Sequence, residues 1–151
     1  QGLANIEYVR PERADYSGPR PYVKQGADSG AEVIGGTIFN AYLDLTHPLA
    51  YGYNSNEIRV FRNSTMFLAK GENPYSTPLY YTEDPLASGY VSPANEKTIA
   101  GTAAIIVSRS GGGKVIAITD NPNFRAFWYG TNKLFANAIF FGQTISGSSG
   151  N

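Results

Sequence analysis

His47 is the single histidine among 151 residues, with Asp44 three positions before it and no cysteine anywhere. A catalytic zinc usually takes three protein ligands, at least two of them commonly histidine. One histidine does not complete that set, so no metal and no cofactor is expected on this chain. A serine triad could recruit His47 and Asp44. The Gly-x-Ser-x-Gly elbow that exposes such a serine is missing, and Ser108-Arg109-Ser110-Gly111 reads as a hairpin. The simpler use of His47 is a local hydrogen bond at a strand end ahead of Pro48, and a hydrolase built on Asp44 and His47 is the third-ranked reading. Gly111-Gly112-Gly113-Lys114 has the letters of a phosphate loop, but that loop opens a helix, whereas Lys114 opens an apolar strand. What remains is aromatic. Tyr51, Tyr53, Tyr75, Tyr80, Tyr81 and Tyr90 form a candidate aromatic platform for sugars or another chain, with His47 and the turns around Tyr51, Tyr53 and Tyr90 holding a glycan or peptide; the alternative is packing with the phenol at the surface.

Those residues have to be positioned by the elements around them. Residues 1–30 are polar and broken by Pro11, Pro19, Pro21, Gly18, Gly26 and Gly30, which predicts an extended linker or wrapping segment with a short strand at Ala4–Val9. Gly36–Leu45 alternates in character and predicts a strand, as do Glu57–Phe61, Thr65–Ala69 and Pro78–Thr82. Thr102–Ser108 and Lys114–Thr119 are nearly continuous apolar runs, as in strands covered on both faces, and the intervening glycines suit a hairpin. A helix is expected next. Asp120 or Asn121 would cap it, Pro122 would sit in its first turn, and Phe124, Phe127, Trp128, Leu134, Phe135, Ala138 and Phe141 would form its apolar stripe. Trp128 is expected to pack this helix onto the two apolar strands, and Gly142 to end it. His47-Pro48-Leu49-Ala50-Tyr51-Gly52-Tyr53 and Asp84-Pro85-Leu86-Ala87-Ser88-Gly89-Tyr90 agree at five of seven positions. They read as two similar turns, each with a proline entry and a glycine bend at Gly52 or Gly89. The domain is therefore expected over 31–145, followed by a Ser/Gly tail at 146–151.

Twelve basic residues balance twelve acidic ones. A neutral chain does not steer polyanions through its overall field, so nucleic acid is not an expected partner. Aromatics make up 13% of the chain and charged residues only 16%, which supplies enough apolar surface for a packed core. Without cysteine there are no disulfides and no thiolate chemistry. No apolar run approaches the roughly 18–20 residues that span a bilayer. No basic and apolar leader follows Gln1, so if the protein is exported this chain is expected to be a mature or internal piece of it.

Gly36-Thr37-Ile38-Phe39, Leu43 to Tyr53, and Asp120-Asn121-Pro122-Asn123-Phe124-Arg125-Ala126-Phe127-Trp128-Tyr129-Gly130-Thr131-Asn132 resemble one family domain. It is the C-terminal domain of large exported zinc-carboxypeptidase-like proteins of Bacteroidetes-type bacteria, and the resemblance covers about residues 30–145. It implies an α/β, flavodoxin-like fold similar to class I glutamine amidotransferases, partial here, with β-rich insertions and a C-terminal helix. The amidotransferase nucleophile is a cysteine, which this chain lacks, and the carboxypeptidase zinc ligands belong to a separate preceding domain. The resemblance therefore implies a non-catalytic accessory or assembly domain in an extracytoplasmic setting. A glycan- or peptide-binding module is the alternative. Its partners would be the remainder of the parent polypeptide or other subunits, because one amphipathic helix does not cover both faces of the apolar strands.

Overall fold

The computed structural model describes residues 6–12 and 17–145; the tail read at 146–151, and residues 4 and 5 of the expected first strand, lie outside the described residues. Seven strands form one sheet: β1 (Tyr8–Val9), β2 (Thr37–Leu43), β3 (Glu57–Arg62), β4 (Phe67–Leu68), β5 (Leu79–Ser88), β6 (Ala103–Ser110) and β7 (Gly113–Ile118). Their order is β1-β4-β6-β5-β2-β3, with β7 also paired to β6. Every pairing is antiparallel. Three short helices accompany them: α1 (Gln25–Ala31), α2 (Pro93–Ile99) and α3 (Tyr129–Phe141).

This corrects the flavodoxin-like, amidotransferase-like expectation. That fold needs parallel strands joined by crossover helices, and among the described residues every strand pairing is antiparallel. The expectation came from the resemblance at residues 36–39, 43–53 and 120–132, and the apolar run of β6 fits either strand direction. Ala103 to Val107 are all buried, as a parallel central strand would be. An antiparallel strand is buried equally well when both faces are covered. On one side Ala104, Ile105 and Val107 join the main core, and on the other Ala103 and Ile106 meet Leu68, Ile6 and Ala117. In the N-terminal segment β1 pairs with β4, and Ile6 packs against the buried Leu68, Ala103 and Ile106. β7, expected to be as deeply covered, is bonded to β6 alone and keeps Val115–Ile118 half-buried.

β2 shows why its sequence makes a strand. Phe39, Ala41 and Leu43 are buried while Ile38, Asn40 and Tyr42 are not, the two-residue period of a half-covered sheet. β5 runs further than Pro78–Thr82 predicts. It crosses a break in register between Tyr81 opposite Ala41 and Leu86 opposite Phe39, and Pro85 sits in that break, where a strand tolerates proline. The second member of the sequence echo is therefore strand, while the first is a 3-10 turn at Pro48–Ala50. Gly52 (φ 82°) and Gly89 (φ 103°) both adopt the left-handed conformation expected of them.

Two helices went unread. α1 buries no residue, and its Gly-rich sequence gives no periodic signal. α2 carries a legible start: Ser92 caps it by accepting from the Asn95 N–H at 3.3 Å, and Pro93 occupies the first turn. The last helix begins at Tyr129, later than predicted. Asp120, Asn121, Pro122, Phe124, Phe127 and Trp128 all precede it, and Trp128 holds the cap position without a capping side-chain bond. Phe124–Ala126 is a separate 3-10 turn in which Arg125 (φ 48°) and Ala126 (φ 55°) take the strained left-handed conformation. Leu134 alone of the predicted stripe reaches full burial, joining Phe39, Leu43, Leu49 and Val60. Phe127 and Phe135 are exposed instead. Gly142 does not break the chain in a left-handed cap; it continues right-handed into a short 3-10 turn.

Candidate functional site

The candidate side chains do not assemble into one centre. His47 caps the turn at Pro48–Ala50, its Nδ1 accepting from the Leu49 N–H at 3.2 Å. Burial lowers its pKa against the opposing pull of Asp44. Asp44 Oδ1 accepts from both the N–H and the hydroxyl of Thr46, at 2.9 and 2.7 Å. Asp44 Oδ1 and His47 Nδ1 serve local structure, His47 Nε2 is buried without a hydrogen-bond partner, and among the described residues no serine hydroxyl bonds to His47. Tyr51 meets the Phe141 ring edge-on at 5.2 Å. Its carbonyl and that of Leu49 both accept from Asn137 Nδ2, at 2.9 and 2.7 Å, so α3 clamps this turn. Tyr90 belongs to the opposite end of β2, where its carbonyl accepts from Thr37 Oγ1 at 2.6 Å. Among the described residues, no three His, Asp or Glu side chains gather as a metal would require. No helix among them is long and apolar enough to cross a membrane.

Asp120, read as a helix cap, has a different place. It is buried beside Arg62, whose guanidinium is fully buried. Arg62 donates to the Ser64 carbonyl at 2.9 Å, to Tyr81 Oη at 2.6 Å, to Thr119 Oγ1 at 2.7 Å and to the Met66 carbonyl. Tyr81 in turn donates to Asp120 Oδ1, which lies 3.7 Å from Arg62 Nη1. Asp120 Oδ2 is buried without a partner. Burial pushes the Asp120 carboxyl up to about 6, although Arg62 and the Tyr81 hydrogen bond pull the other way. This cluster ties β3, β5 and the end of β7 together from inside the sheet. No sequence motif announced it, because an arginine in a strand reads as an exposed residue.

Of the tyrosines named from sequence, Tyr53 lines an open cleft of about 920 Å³ bounded by β2, β3 and the start of α3. The Tyr53 hydroxyl donates to the Gly130 carbonyl at 2.9 Å, joining the two walls. Burial pushes its pKa up to about 12, so it stays a neutral donor. Lys133 bonds the Gly52 carbonyl at 3.0 Å and lies 5.5 Å from the Tyr53 ring. The approach to α3 is fixed by Phe124 stacking on Phe61 at 3.7 Å, by the Asn121 N–H on the Phe61 carbonyl, and by Thr131 Oγ1 on the Pro122 carbonyl. These contacts, with the strained turn, deliver Trp128 and Tyr129 to the cleft rather than to β6 and β7. That is the correction to the expected place of Trp128. Trp128 is half-buried, with its Nε1 enclosed and unpartnered, and Tyr129 is exposed.

The polar lining was not legible. Asn40 and Arg59 are register partners across β2 and β3, and Glu57 is two residues from Arg59 along β3. With Asn54 they line the cleft, and their side chains have no hydrogen-bond or ion-pair partner among the described residues. A second hollow of about 760 Å³ lies between β1, β4 and α2. Of its polar groups Ser92 caps α2 and Asn95 Nδ2 bonds the Ala31 carbonyl at 3.2 Å, while Arg10, Glu12 and Glu32 also line it. The cleft at Trp128, where the one tryptophan meets unengaged polar side chains, is the candidate site. Compared with protein families, with curated proteins and with solved structures, the chain finds no match.

Proposed function

We propose that this chain is a non-catalytic binding module of a larger exported protein, holding its ligand in the cleft between β2, β3 and the start of α3. The observation that carries the reading is the pairing of aromatic Trp128 and Tyr129 with unengaged Asn40, Asn54, Glu57 and Arg59 around one opening. Convergent polar groups beside aromatic surface are the usual make-up of a ligand site. The residues at 36–53 and 120–132 support a setting in a zinc-carboxypeptidase-like parent, with its chemistry in another domain. An amidotransferase-like fold is no part of that proposal. Phe135, Ile139 and Phe140 are exposed on α3, and such an apolar face is commonly covered by the remainder of a parent polypeptide, which supports the accessory role. A hydrolase built on Asp44 and His47 has less support, since Asp44 bonds Thr46, His47 Nδ1 bonds Leu49, and the remaining His47 nitrogen is buried with no nucleophile bonded to it.

Trp128 is the one tryptophan of the chain and lines the site, so its fluorescence reports on the cleft directly. Titration with a mixed library of oligosaccharides and short peptides should give a saturable change in emission from at least one class. The same ligand should protect β3 and the start of α3 from hydrogen exchange. A library that leaves both the emission and the exchange unchanged would refute the reading.

A further inference from the structure

The geometry points to a saccharide as the occupant of this cleft, a neutral pyranose chain lying against Trp128 and Tyr129. The inference rests on the cleft being a binding site and adds the class of ligand. Three observations select that class. The first is charge: the lining carries one carboxylate, Glu57, and one guanidinium, Arg59. A phosphate or polyanion site concentrates positive charge, and a lipid site lacks such polar groups, so a balanced lining favours a neutral polar molecule. The second is shape and chemistry. A pyranose offers an apolar face of C–H groups and an equatorial rim of hydroxyls. Trp128 and Tyr129 provide aromatic surface for the face. Asn40, Glu57 and Arg59 provide planar donor and acceptor groups for the rim, and hydroxyls both donate and accept. The enclosed Trp128 Nε1 is out of reach, so the indole acts through its ring.

The third observation weighs against a peptide. Peptides captured by sheets usually add as a strand, through backbone bonds to a free edge. β2 is paired on both sides, by β3 and β5. β3 is the edge of the sheet, and there Ser55 Oγ engages both the N–H and the carbonyl of Glu57 while the Asn121 N–H takes the Phe61 carbonyl. The cleft therefore recognises through side chains, which suits a rim of hydroxyls.

The test is titration of the chain with gluco-, manno-, xylo- and N-acetylglucosamine oligosaccharides and, separately, with a set of short peptides. Trp128 emission and calorimetry are read in parallel for wild type, Arg59→Ala and Asn40→Ala. Both substitutions fall on residues without side-chain partners, and far-ultraviolet circular dichroism confirms that the variants are folded. The expected result is saturable binding of at least one oligosaccharide, tenfold or more weaker in each variant, since a lost hydrogen bond to a charged or well-placed group costs about that much. Saturable binding of a peptide but of no oligosaccharide would overturn the saccharide and leave the cleft as the site. Oligosaccharide binding that neither substitution weakens would place the sugar elsewhere and overturn the inference. Silence from every ligand in both readouts would overturn the inference and the binding-module reading together.

Discussion

Replacing Arg62 by methionine keeps much of the side-chain volume and removes the charge. The Ser64 and Met66 carbonyls, Tyr81 Oη and Thr119 Oγ1 then lose a donor, and Asp120 is left as a buried carboxylate with no counter-charge. Breaking one side of a buried ion pair costs about 3–5 kcal/mol, a large share of the 5–15 kcal/mol that holds a typical domain together. The Asp120 carboxyl sits at about 6 in the fold against an ordinary value of 3.8. A carboxyl raised in this way gives up stability as pH rises through the folded value and regains it as pH falls towards the unfolded one. Arg62 is one of the groups pulling that pKa down, so its removal raises it further and widens the pH range over which protonation relieves the carboxylate. The loss in Arg62→Met is therefore expected in full at pH 7.5 and smaller by about 1–2 kcal/mol at pH 5. His47, whose pKa burial lowers from 6.5, acts in the opposite sense and loses stability as pH falls. It is common to both proteins and cancels in the difference. Urea unfolding of wild type and variant at the two pH values reads the quantity directly. A loss below about 1 kcal/mol at pH 7.5, or one equal at both pH values, would refute the account of Arg62 and Asp120 as a coupled buried pair.

Two further outcomes follow from the packing. Leu134→Ala should cost about 2–5 kcal/mol, whereas Phe140→Ala, at a residue 77% exposed, should stay within about 0.5 kcal/mol of wild type; equal melting shifts for the two would show that α3 is rotated from the orientation described. Gly89→Ala should destabilise by more than about 1 kcal/mol, because φ is 103° there and a Cβ would lie 3.1 Å from Thr37 Cα; an unchanged urea midpoint would contradict the bend at the end of β5.

The candidate site was only partly readable before the fold was known. Tyr53 was named, for its place in a tyrosine-rich turn, but its companions Tyr51 and Tyr90 are spread along the structure. Trp128 was singled out as a packing residue and turned out to line the cleft. Asn40, Glu57 and Arg59 carry no spacing signal, since residues in different strands come together only through register. The expected helix start failed for a related reason. Asp120 has the chemistry of a cap, but the buried Arg62 claims its neighbourhood, and the helix begins only after the strained turn at Arg125 and Ala126.

By itself the sequence determined the local elements whose signal is periodic. β2 follows from its alternating residue character, β3 from a short strand-forming run, and the β6–β7 hairpin from two apolar runs around Gly111–Gly113. It also limited the chemistry, since one histidine and no cysteine are facts of composition. Beyond that hairpin, the tertiary structure alone decided strand order and direction, because an apolar run states that a strand is covered and not which way its neighbours point. The two echoed segments make the point most directly. Near-identical residues form a 3-10 turn at Pro48–Ala50, where Asn137 of α3 takes the Leu49 and Tyr51 carbonyls. They form strand at Pro85–Ser88, where β2 is alongside to pair with Leu86 and Ser88. Backbone groups must find partners, and which partner is within reach depends on parts of the chain far away in sequence.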